Sequence, residues 1–272
     1  HANVKGVDTA EALKMPGVNS GITAKDVKGK NRITGLITFP TNKADGWDRP
    51  ILCDTKVFQY GDAIALVAAD SEANARAAAE KVKVDLEVLP AYMSAPAAMA
   101  DDAIEIHPGT PNTYYEQNHA KGADVAPFFA DPAKYEVMGG DYYTQRQPHL
   151  PIEPDVGFAY TNEDGKLVIH SKSIGLYLHL YMIAPGLGVE PENLVLVQNP
   201  TGGTFGYKFS PTMEALVGVA AMVTGRPVHL RYNYAQQQYY TGKRSPFWTK
   251  GKIAVDKATK KIVASEMEWI VD

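Results

Sequence analysis

The sequence has little cysteine, no long apolar run and no excess of either charge, and each absence narrows what the chain can be. Its single cysteine, Cys53, excludes an intramolecular disulfide and any site built from several thiolates, such as an iron–sulfur cluster. No apolar run approaches the roughly 20 residues that span a bilayer. With 27 basic and 31 acidic residues, the chain has a formal charge of -4. We therefore expect neither a nucleic acid nor a membrane as a partner.

The chain also lacks the short motifs of metal-dependent and serine-dependent catalysis. Its seven histidines show no H-x-H, H-x₃-H or H-E-x-x-H spacing, so we expect no metal held by protein side chains. No G-x-S-x-G segment is present, and Cys53 follows two apolar residues, where a buried inert thiol is expected. Redox chemistry at this chain would need a cofactor other than a protein-held cluster.

What is present predicts a mixed α/β protein of one large or two ordinary domains, since 272 residues at 45% hydrophobic content supply a sizeable core. The first ninety residues alternate helix and strand signals around a polar stretch, residues 24–50, that is expected to be a loop. Residues 90–131 are rich in Pro, Ala, Asn and Gly and predict a linker. The second half predicts a hairpin about residues 162–165, a helix over Leu176–Ala184 that ends at Pro185, and a strand–loop–helix–strand arrangement over residues 194–232.

The loop Gly202-Gly203-Thr204-Phe205-Gly206-Tyr207-Lys208 lies between a predicted strand and a predicted helix. Its glycines permit positive φ, so backbone N–H groups can point at an oxyanion, a phosphate or a metal-oxo group. The spacing fits neither the Walker pattern nor G-x-G-x-x-G. A tight turn with no ligand is the alternative interpretation.

A second segment, residues 146–154, contains three prolines that fix an extended backbone. Such a backbone would hold Gln147, His149 and Glu153 in set directions, and the Gln147 amide could donate to a ligand oxygen at any pH. The alternatives are a backbone hydrogen bond for Gln147 and a satisfied core or interface position for His149.

Taken together, several ordered segments resemble the molybdenum hydroxylases, the xanthine dehydrogenase and aldehyde oxidase family. The likeness is greatest to the bacterial aldehyde oxidoreductases of sulfate reducers. Residues 1–8 and 15–18 are similar to the start of the α/β hammerhead domain of that family. The other segments that carry the resemblance are Arg146-Gln147-Pro148-His149, the loop 202–208, Thr224-Gly225-Arg226-Pro227-Val228 and Thr241-Gly242-Lys243-Arg244-Ser245-Pro246-Phe247.

The resemblance implies an α/β hammerhead domain over residues 1–95, an extended linker over 96–131 and the first part of a molybdopterin-binding domain over 132–272. It also implies molybdenum held by a molybdopterin, in the bacterial enzymes the cytosine dinucleotide form, with no protein side chain on the metal. The cofactor-binding positions that it assigns are Gln147, Gly202, Gly203, Thr204, Phe205 and Gly206. The [2Fe-2S] clusters of the family would lie outside this chain.

The resemblance further implies oxidation of small aldehydes to carboxylic acids with water, with electrons leaving through those clusters. Leu178 and Phe209 match an apolar substrate channel, where purine-oxidising relatives look to carry a Glu in place of Phe209. The family's general-base Glu would lie beyond Asp272, so the chain would supply one wall of the site and would not act alone.

The ends of the chain and its partners complete these expectations. The start at His1 without Met and the strand-like end at Asp272 predict a piece of a longer polypeptide, which would supply the iron–sulfur domains and the rest of the molybdopterin domain. We expect a homodimer located in the cytoplasm, with the periplasm as the alternative. Three alternatives stay open: a separate subunit that completes the site with a partner chain, a non-catalytic scaffold, and a phosphate-binding enzyme that uses residues 202–208.

Overall fold

The structure, a computed structural model, describes residues 1–34, 49–240 and 243–272, and these residues fall into two units. Among the described residues, the first unit contains residues 1–34, 49–91, 105–110 and 149–240, and the second contains residues 92–104, 111–148 and 243–272. Two sequence features lie partly outside the described residues: 35–48 of the expected loop, and Thr241 and Gly242 of the last motif. The domain limits at residues 95 and 132 follow chain order, whereas the units group residues by packing, so those limits stay predictions.

The first unit mixes strands and helices, as the sequence predicts. Its strands are β1 (Ala2–Asp8), β2 (Val18–Thr23), β3 (Arg32–Ile33), β4 (Arg49–Pro50), β5 (Lys56–Val57), β6 (Ala65–Ala69), β7 (Lys83–Val88), and the later β10 (Val156–Thr161), β11 (Leu167–Ser171), β12 (Leu194–Gln198) and β13 (Val228–Arg231). Its helices are α1 (Ala10–Leu13), α2 (Glu72–Ala79), α5 (Leu176–Leu187), α6 (Thr212–Thr224) and α7 (Tyr234–Tyr240), with 3₁₀ turns at Ala24–Asp26, Pro191–Asn193 and Tyr207–Phe209.

Four strands of this unit form a sheet in the order β12-β11-β10-β13, in which only β11 and β12 run parallel. Helix α6 packs on this sheet and is apolar almost all round, because the residues from Thr212 to Ala221 are all buried. Gly218 allows the close approach: a Cβ there would lie 3.1 Å from Ile169 and 3.3 Å from Leu187. Each fully buried aliphatic side chain of this core, such as Ile169, stabilises the fold by about 1.5–3 kcal/mol.

Local signals in the sequence account for several of these elements. The predicted hairpin is confirmed, since β10 and β11 pair across a turn in which Gly165 has φ +77° and the Lys166 amide donates to Asn162 Oδ1 at 2.9 Å. Helix α2 begins after Ser71, whose hydroxyl accepts from the Asn74 amide at 3.2 Å. The small sheets described in the amino-terminal segment have the orders β5-β1-β7, β2-β6 and β3-β4.

Helix α5 is longer than predicted, because it passes through Pro185 and ends at Leu187, before Gly188 in the left-handed region. Proline usually ends a helix because it lacks an N–H and its ring crowds the preceding turn. Here the last turn is stabilised from outside: the Lys30 amide donates to the Pro185 carbonyl and the Asn31 amide to the Gly186 carbonyl, both at 3.0 Å. The predicted end at Ala184 was therefore wrong by about a turn.

The expected loop over residues 24–50 is also more ordered at its ends than predicted. A 3₁₀ turn covers Ala24–Asp26, and β3 pairs with β4 in an antiparallel ladder. Asn31 adopts φ +55° and exchanges side-chain hydrogen bonds with the backbone of Leu52, at 2.7 and 3.1 Å. Because these contacts join residues about twenty positions apart, local sequence patterns do not reveal them.

The second unit is built on one sheet with the order β16-β15-β8, formed by β8 (Tyr135–Thr144), β15 (Phe247–Asp256) and β16 (Ile262–Val271). This confirms the antiparallel pair that the sequence predicts for the end of the chain. Short strands β9 (Gln147–Pro148) and β14 (Lys243–Arg244) pair with each other. The expected linker holds two short helices, α3 (Ala95–Ala98) and α4 (Ala126–Ala130). Within the described ranges, no helix has the length and apolar character to cross a bilayer.

Candidate functional site

The glycine loop follows β12 and leads through the 3₁₀ turn Tyr207–Phe209 into α6. Three of its residues have positive φ: Gly203 at +139°, Phe205 at +49° and Gly206 at +101°. The turn is closed by the Gly206 amide, which donates to Thr204 Oγ1 at 3.1 Å, and by the Tyr207 amide, which donates to the Thr204 carbonyl at 3.1 Å. A non-glycine residue in the left-handed region carries strain of order 1–3 kcal/mol, a feature that clusters at binding and active sites.

Three successive backbone N–H groups of this loop are available to a ligand. The amides of Gly203, Thr204 and Phe205 donate to no acceptor among the residues that the structure describes. Successive amides in a loop with positive φ form a concave donor site for anionic oxygen. An added Cβ at Gly206 would have His149 Nε2 as its nearest neighbour, at 3.5 Å. The loop therefore fits a group that is held by backbone donors.

A partly buried ionic cluster lies against the start and the end of this loop. The Glu153 carboxylate accepts from the Gly202 amide at 2.7 Å and from the ammonium groups of Lys172 and Lys208. The Lys208 side chain is only 2% exposed, so its charge must be paired inside the protein. Although burial opposes ionisation of Glu153, the two lysines and the Gly202 amide lower its pKa to about 2.

Two further carboxyl groups near this cluster have raised pKa values. Burial raises the pKa of Asp155 to about 6, against the opposing effect of Lys208 and Lys172. Burial, together with the charge of Asp155, raises the pKa of Glu214 to about 7. Glu214 belongs to α6, whose other buried residues are almost all apolar. The two cations therefore stabilise one carboxylate strongly and leave two carboxyl groups that ionise close to neutral pH.

His179, which is fully buried, connects α5 to the residue Phe209 at the end of the loop. Its Nε2 lies 2.8 Å from the Phe209 carbonyl oxygen, and its Nδ1 contacts the Ser173 hydroxyl. A carbonyl only accepts, so Nε2 carries the proton and Nδ1 accepts from Ser173. Burial lowers the pKa of His179 and keeps it neutral, although the bond to Phe209 opposes this. Ser173 is 1% exposed and His179 is 0% exposed, so a substrate cannot reach the hydroxyl in this conformation and the pair has a structural role.

The residues predicted for the site divide between the two units. The loop residues 202–206, Leu178 and Phe209 belong to the first unit, and Gln147 belongs to the second, where it is exposed in β9 opposite Arg244. Leu178 is half-buried against the core, and Phe209 is 45% exposed. Leu178 directly precedes His179, so the bond from His179 to Phe209 ties the two predicted channel residues to one framework. Their roles in binding stay predictions.

Sequence reasoning missed most of the ionic cluster. It named Lys208 only as the last residue of the glycine loop and did not single out Lys172, Asp155 or Glu214. One signal was available: a Glu inside the otherwise apolar run of α6 is a buried charge that needs partners. The contacts of Glu153 with residues 19 and 55 positions away have no local signature.

The first unit also has a cavity whose charged residues already pair with one another. An open cavity of about 360 Å³ is lined by Glu72, Arg76, Pro154, Arg231, Tyr232 and Asn233. Its charges pair with one another, because Glu72 accepts from Arg76 at 2.9 Å and from Arg231 at 3.2 Å. In the part of the chain that the structure describes, no three His, Cys, Asp or Glu side chains are grouped to hold a metal ion.

Comparison with known families identifies the class of protein. A model of the molybdopterin cofactor-binding domain matches residues 106–272, and a model of the a/b hammerhead domain of aldehyde oxidase and xanthine dehydrogenase matches residues 1–90. The first match alone covers more than half of the chain. The chain therefore belongs to the molybdenum hydroxylase family, and the predicted mixed fold of hammerhead and molybdopterin-binding domains is confirmed.

Individual relatives show which members of the family the chain resembles. The aldehyde oxidoreductase of Megalodesulfovibrio gigas is 73% identical over all of this chain and 30% of its own length. The crystal structure of the aldehyde oxidoreductase from Desulfovibrio desulfuricans ATCC 27774 matches with a TM-score of 0.96 and 73% identity, again over 100% of this chain and 30% of that one. The xanthine dehydrogenase/oxidase of Felis catus is 31% identical over 98% of this chain and 19% of its length. The chain thus spans less than a third of the length of these relatives.

Proposed function

We propose that this chain forms one wall of the molybdopterin site of an aldehyde oxidoreductase. The observation that carries the proposal is the row of amides at Gly203, Thr204 and Phe205, which have no acceptor among the described residues, on a loop whose conformation demands glycine at two positions. The 73% identity to the aldehyde oxidoreductase of M. gigas supports this choice of reaction. When bound, the molybdenum cofactor supplies the two-electron chemistry by which an aldehyde and water give a carboxylic acid.

The residues of this chain contribute binding and orientation. The free loop amides donate to oxygen atoms of the cofactor, and the exposed Gln147 amide donates to a further oxygen. Fixed donors that face oxygen charge lower the energy of a charged transition state without reorganisation during the reaction. The cofactor form that we propose is the cytosine dinucleotide, as the resemblance to the bacterial enzymes implies.

The substrate that we propose is a small aldehyde. Phe209 and Leu178 offer an apolar surface, and the Phe209 ring is 45% exposed at the end of the loop. A polar heterocycle such as a purine would find no carboxylate at this position. A site built to hydrogen-bond its substrate rejects analogues that lack the bonding group, whereas an apolar wall gives a purine none of the hydrogen bonds that such a site would supply.

The remainder of the reaction belongs to residues outside this chain. We propose that a longer polypeptide supplies the general-base Glu and the iron–sulfur domains through which the electron pair leaves. This division agrees with the single cysteine of the chain, which cannot hold a cluster. The homodimer and the cytoplasmic location stay predictions.

The test uses the full-length enzyme that carries this chain. Elemental analysis is expected to find about one molybdenum atom per protomer, and steady-state kinetics are expected to give a higher kcat/KM for a small aldehyde than for xanthine. A protein without molybdenum would overturn the cofactor proposal and favour a scaffold role. Faster oxidation of xanthine would overturn the substrate proposal alone.

A further inference from the structure

Glu153 connects three separate parts of the first unit through one carboxylate. Its Oε1 accepts from both the Gly202 amide and the Lys208 ammonium group, which mark the start and the end of the glycine loop. Its Oε2 accepts from Lys172, in the segment that follows β11. The Glu153 side chain is 22% exposed and that of Lys172 is 15% exposed, so the two ion pairs are partly shielded from water, whereas the contact with Gly202 lies at an exposed residue.

The loop is shaped to admit this carboxylate. An added Cβ at Gly202 would lie 3.0 Å from Glu153 Cδ and 3.0 Å from its Oε2, closer than ordinary van der Waals contact. The carboxylate itself stands on a stiff backbone, between Pro151, which is fully buried, and Pro154. The rigid backbone around Glu153 therefore holds the Gly202 amide in place, next to the three amides that have no acceptor among the described residues.

From these contacts we infer that Glu153 is the positioning residue of the glycine loop, which it fixes by binding the Gly202 amide and Lys208 with the same oxygen. The inference rests on the proposed function for the identity of the group that the loop then binds. Charge balance alone would not require the contact with Gly202, because a carboxylate that only neutralised two lysines could leave the neutral amide to water. The shared oxygen instead couples the two ends of the loop.

The geometry predicts a specific pattern of loss and rescue. In Glu153→Gln, one of the two carboxylate oxygens is replaced by an NH₂ group, which must face either Lys172 or the Gly202 amide, and both are donors. Replacing Lys172 with Met removes the first conflict, so Glu153→Gln/Lys172→Met can keep its oxygen on Gly202 and Lys208. Glu153→Gln/Lys208→Met keeps the conflict in either orientation of the amide.

The experiment measures two quantities in full-length protein: hydrogen exchange of the Gly202 amide in enzyme prepared without molybdenum, and molybdenum retained per protomer after desalting. The control for a general loss of stability is Val219→Ala, a truncation in the buried core of α6, away from the loop in sequence. The melting temperature of each variant is also measured, so that exchange and molybdenum content are compared between variants of similar stability.

We expect Glu153→Gln to exchange the Gly202 amide at least tenfold faster than wild type and to retain less than half of its molybdenum. Val219→Ala should keep the wild-type exchange rate and the wild-type molybdenum content. The double variant Glu153→Gln/Lys172→Met should recover both, whereas Glu153→Gln/Lys208→Met should not. The inference would be overturned if the Gly202 amide of Glu153→Gln exchanged at the wild-type rate. It would also be overturned if Val219→Ala changed exchange and molybdenum content as much as Glu153→Gln does. Wild type without molybdenum would overturn the proposed function, while the exchange measurement would still decide the role of Glu153.

Discussion

His179 Nε2 donates a hydrogen bond to the Phe209 carbonyl across 2.8 Å and so fixes the residue that directly follows the glycine loop against helix α5. The imidazole is completely buried, and its second nitrogen accepts from Ser173. All three groups therefore have partners without any water. A neutral histidine with one fixed tautomer supplies rigidity here, in contrast to the titrating histidines that catalyse proton transfer.

Replacing this histidine is predicted to destabilise the protein. His179→Ala leaves the Phe209 carbonyl without its donor and the Ser173 hydroxyl proton without its acceptor, and it opens a cavity; together these cost roughly 2–4 kcal/mol. Urea unfolding of the full-length protein measures the loss. His119→Ala, at an exposed position, is the control and is expected to change stability by less than about 0.5 kcal/mol. Equal stability of the two variants would contradict the assigned contacts.

The low pKa of Glu153 predicts a loss of stability in acid. Because the pKa falls from 4.5 in the unfolded chain to about 2 in the folded protein, this group stabilises the fold above pH 4.5. That contribution, about 1–3 kcal/mol after allowance for solvent screening, disappears as the pH falls from 4.5 towards 2. Unfolding of wild type and Glu153→Gln should therefore differ most at pH 7 and converge near pH 2. A difference that is constant with pH would refute the prediction.

Glu214 has the opposite pH dependence. Its folded pKa of about 7 lies above the unfolded value of 4.5, so wild type loses stability as the pH rises from 4.5 to 7 and the buried carboxyl is forced to ionise. Glu214→Gln removes this penalty and should gain about 1–3 kcal/mol more over wild type at pH 8 than at pH 5. Melting curves at the two pH values provide the measurement, with Glu163→Gln on the exposed hairpin as the control that should show no such difference.

Local sequence patterns were sufficient for most of the fold, and a family resemblance was needed for the site. The turn residues at 162–165 predict the hairpin from short-range signals, and the hairpin is present. The predicted strand–loop–helix–strand order over residues 194–232 is likewise present, as β12, the glycine loop, α6 and β13. The end of α5 was misplaced, because residues some 155 positions earlier satisfy the carbonyls of its proline-containing turn. The cluster about Glu153 was missed for the same reason: its partners meet only after the chain has folded.

The positive φ of Gly206 gives a prediction that separates strain from cofactor binding. Gly206→Ala and Gly225→Ala both place a side chain at a left-handed position, with φ +101° and +63°, and each should cost about 1–2 kcal/mol of stability. Only Gly206 belongs to the loop, whereas Gly225 follows the end of α6. Elemental analysis should therefore show molybdenum loss in Gly206→Ala and wild-type content in Gly225→Ala. Equal content in both would argue against the loop as the binding site.

Phe209 carries the prediction on substrate class. Phe209→Glu puts a carboxylate on the proposed apolar wall, and kcat/KM for a small aldehyde should fall at least tenfold, about 1.4 kcal/mol in transition-state binding. Phe209→Leu keeps the wall apolar and should remain within about threefold of wild type. If the two variants lose aldehyde activity equally, the ring of Phe209 matters for its shape and the argument from polarity fails.

The most direct test of the central claim is an anomalous difference map of the full-length crystalline enzyme, collected at the molybdenum absorption edge. A peak beside residues 203–206, with connected density that reaches the amides of Gly203, Thr204 and Phe205, is the predicted result. A well-ordered loop with no anomalous peak beside it, in protein shown to contain molybdenum, would contradict the claim that this chain forms a wall of the cofactor site.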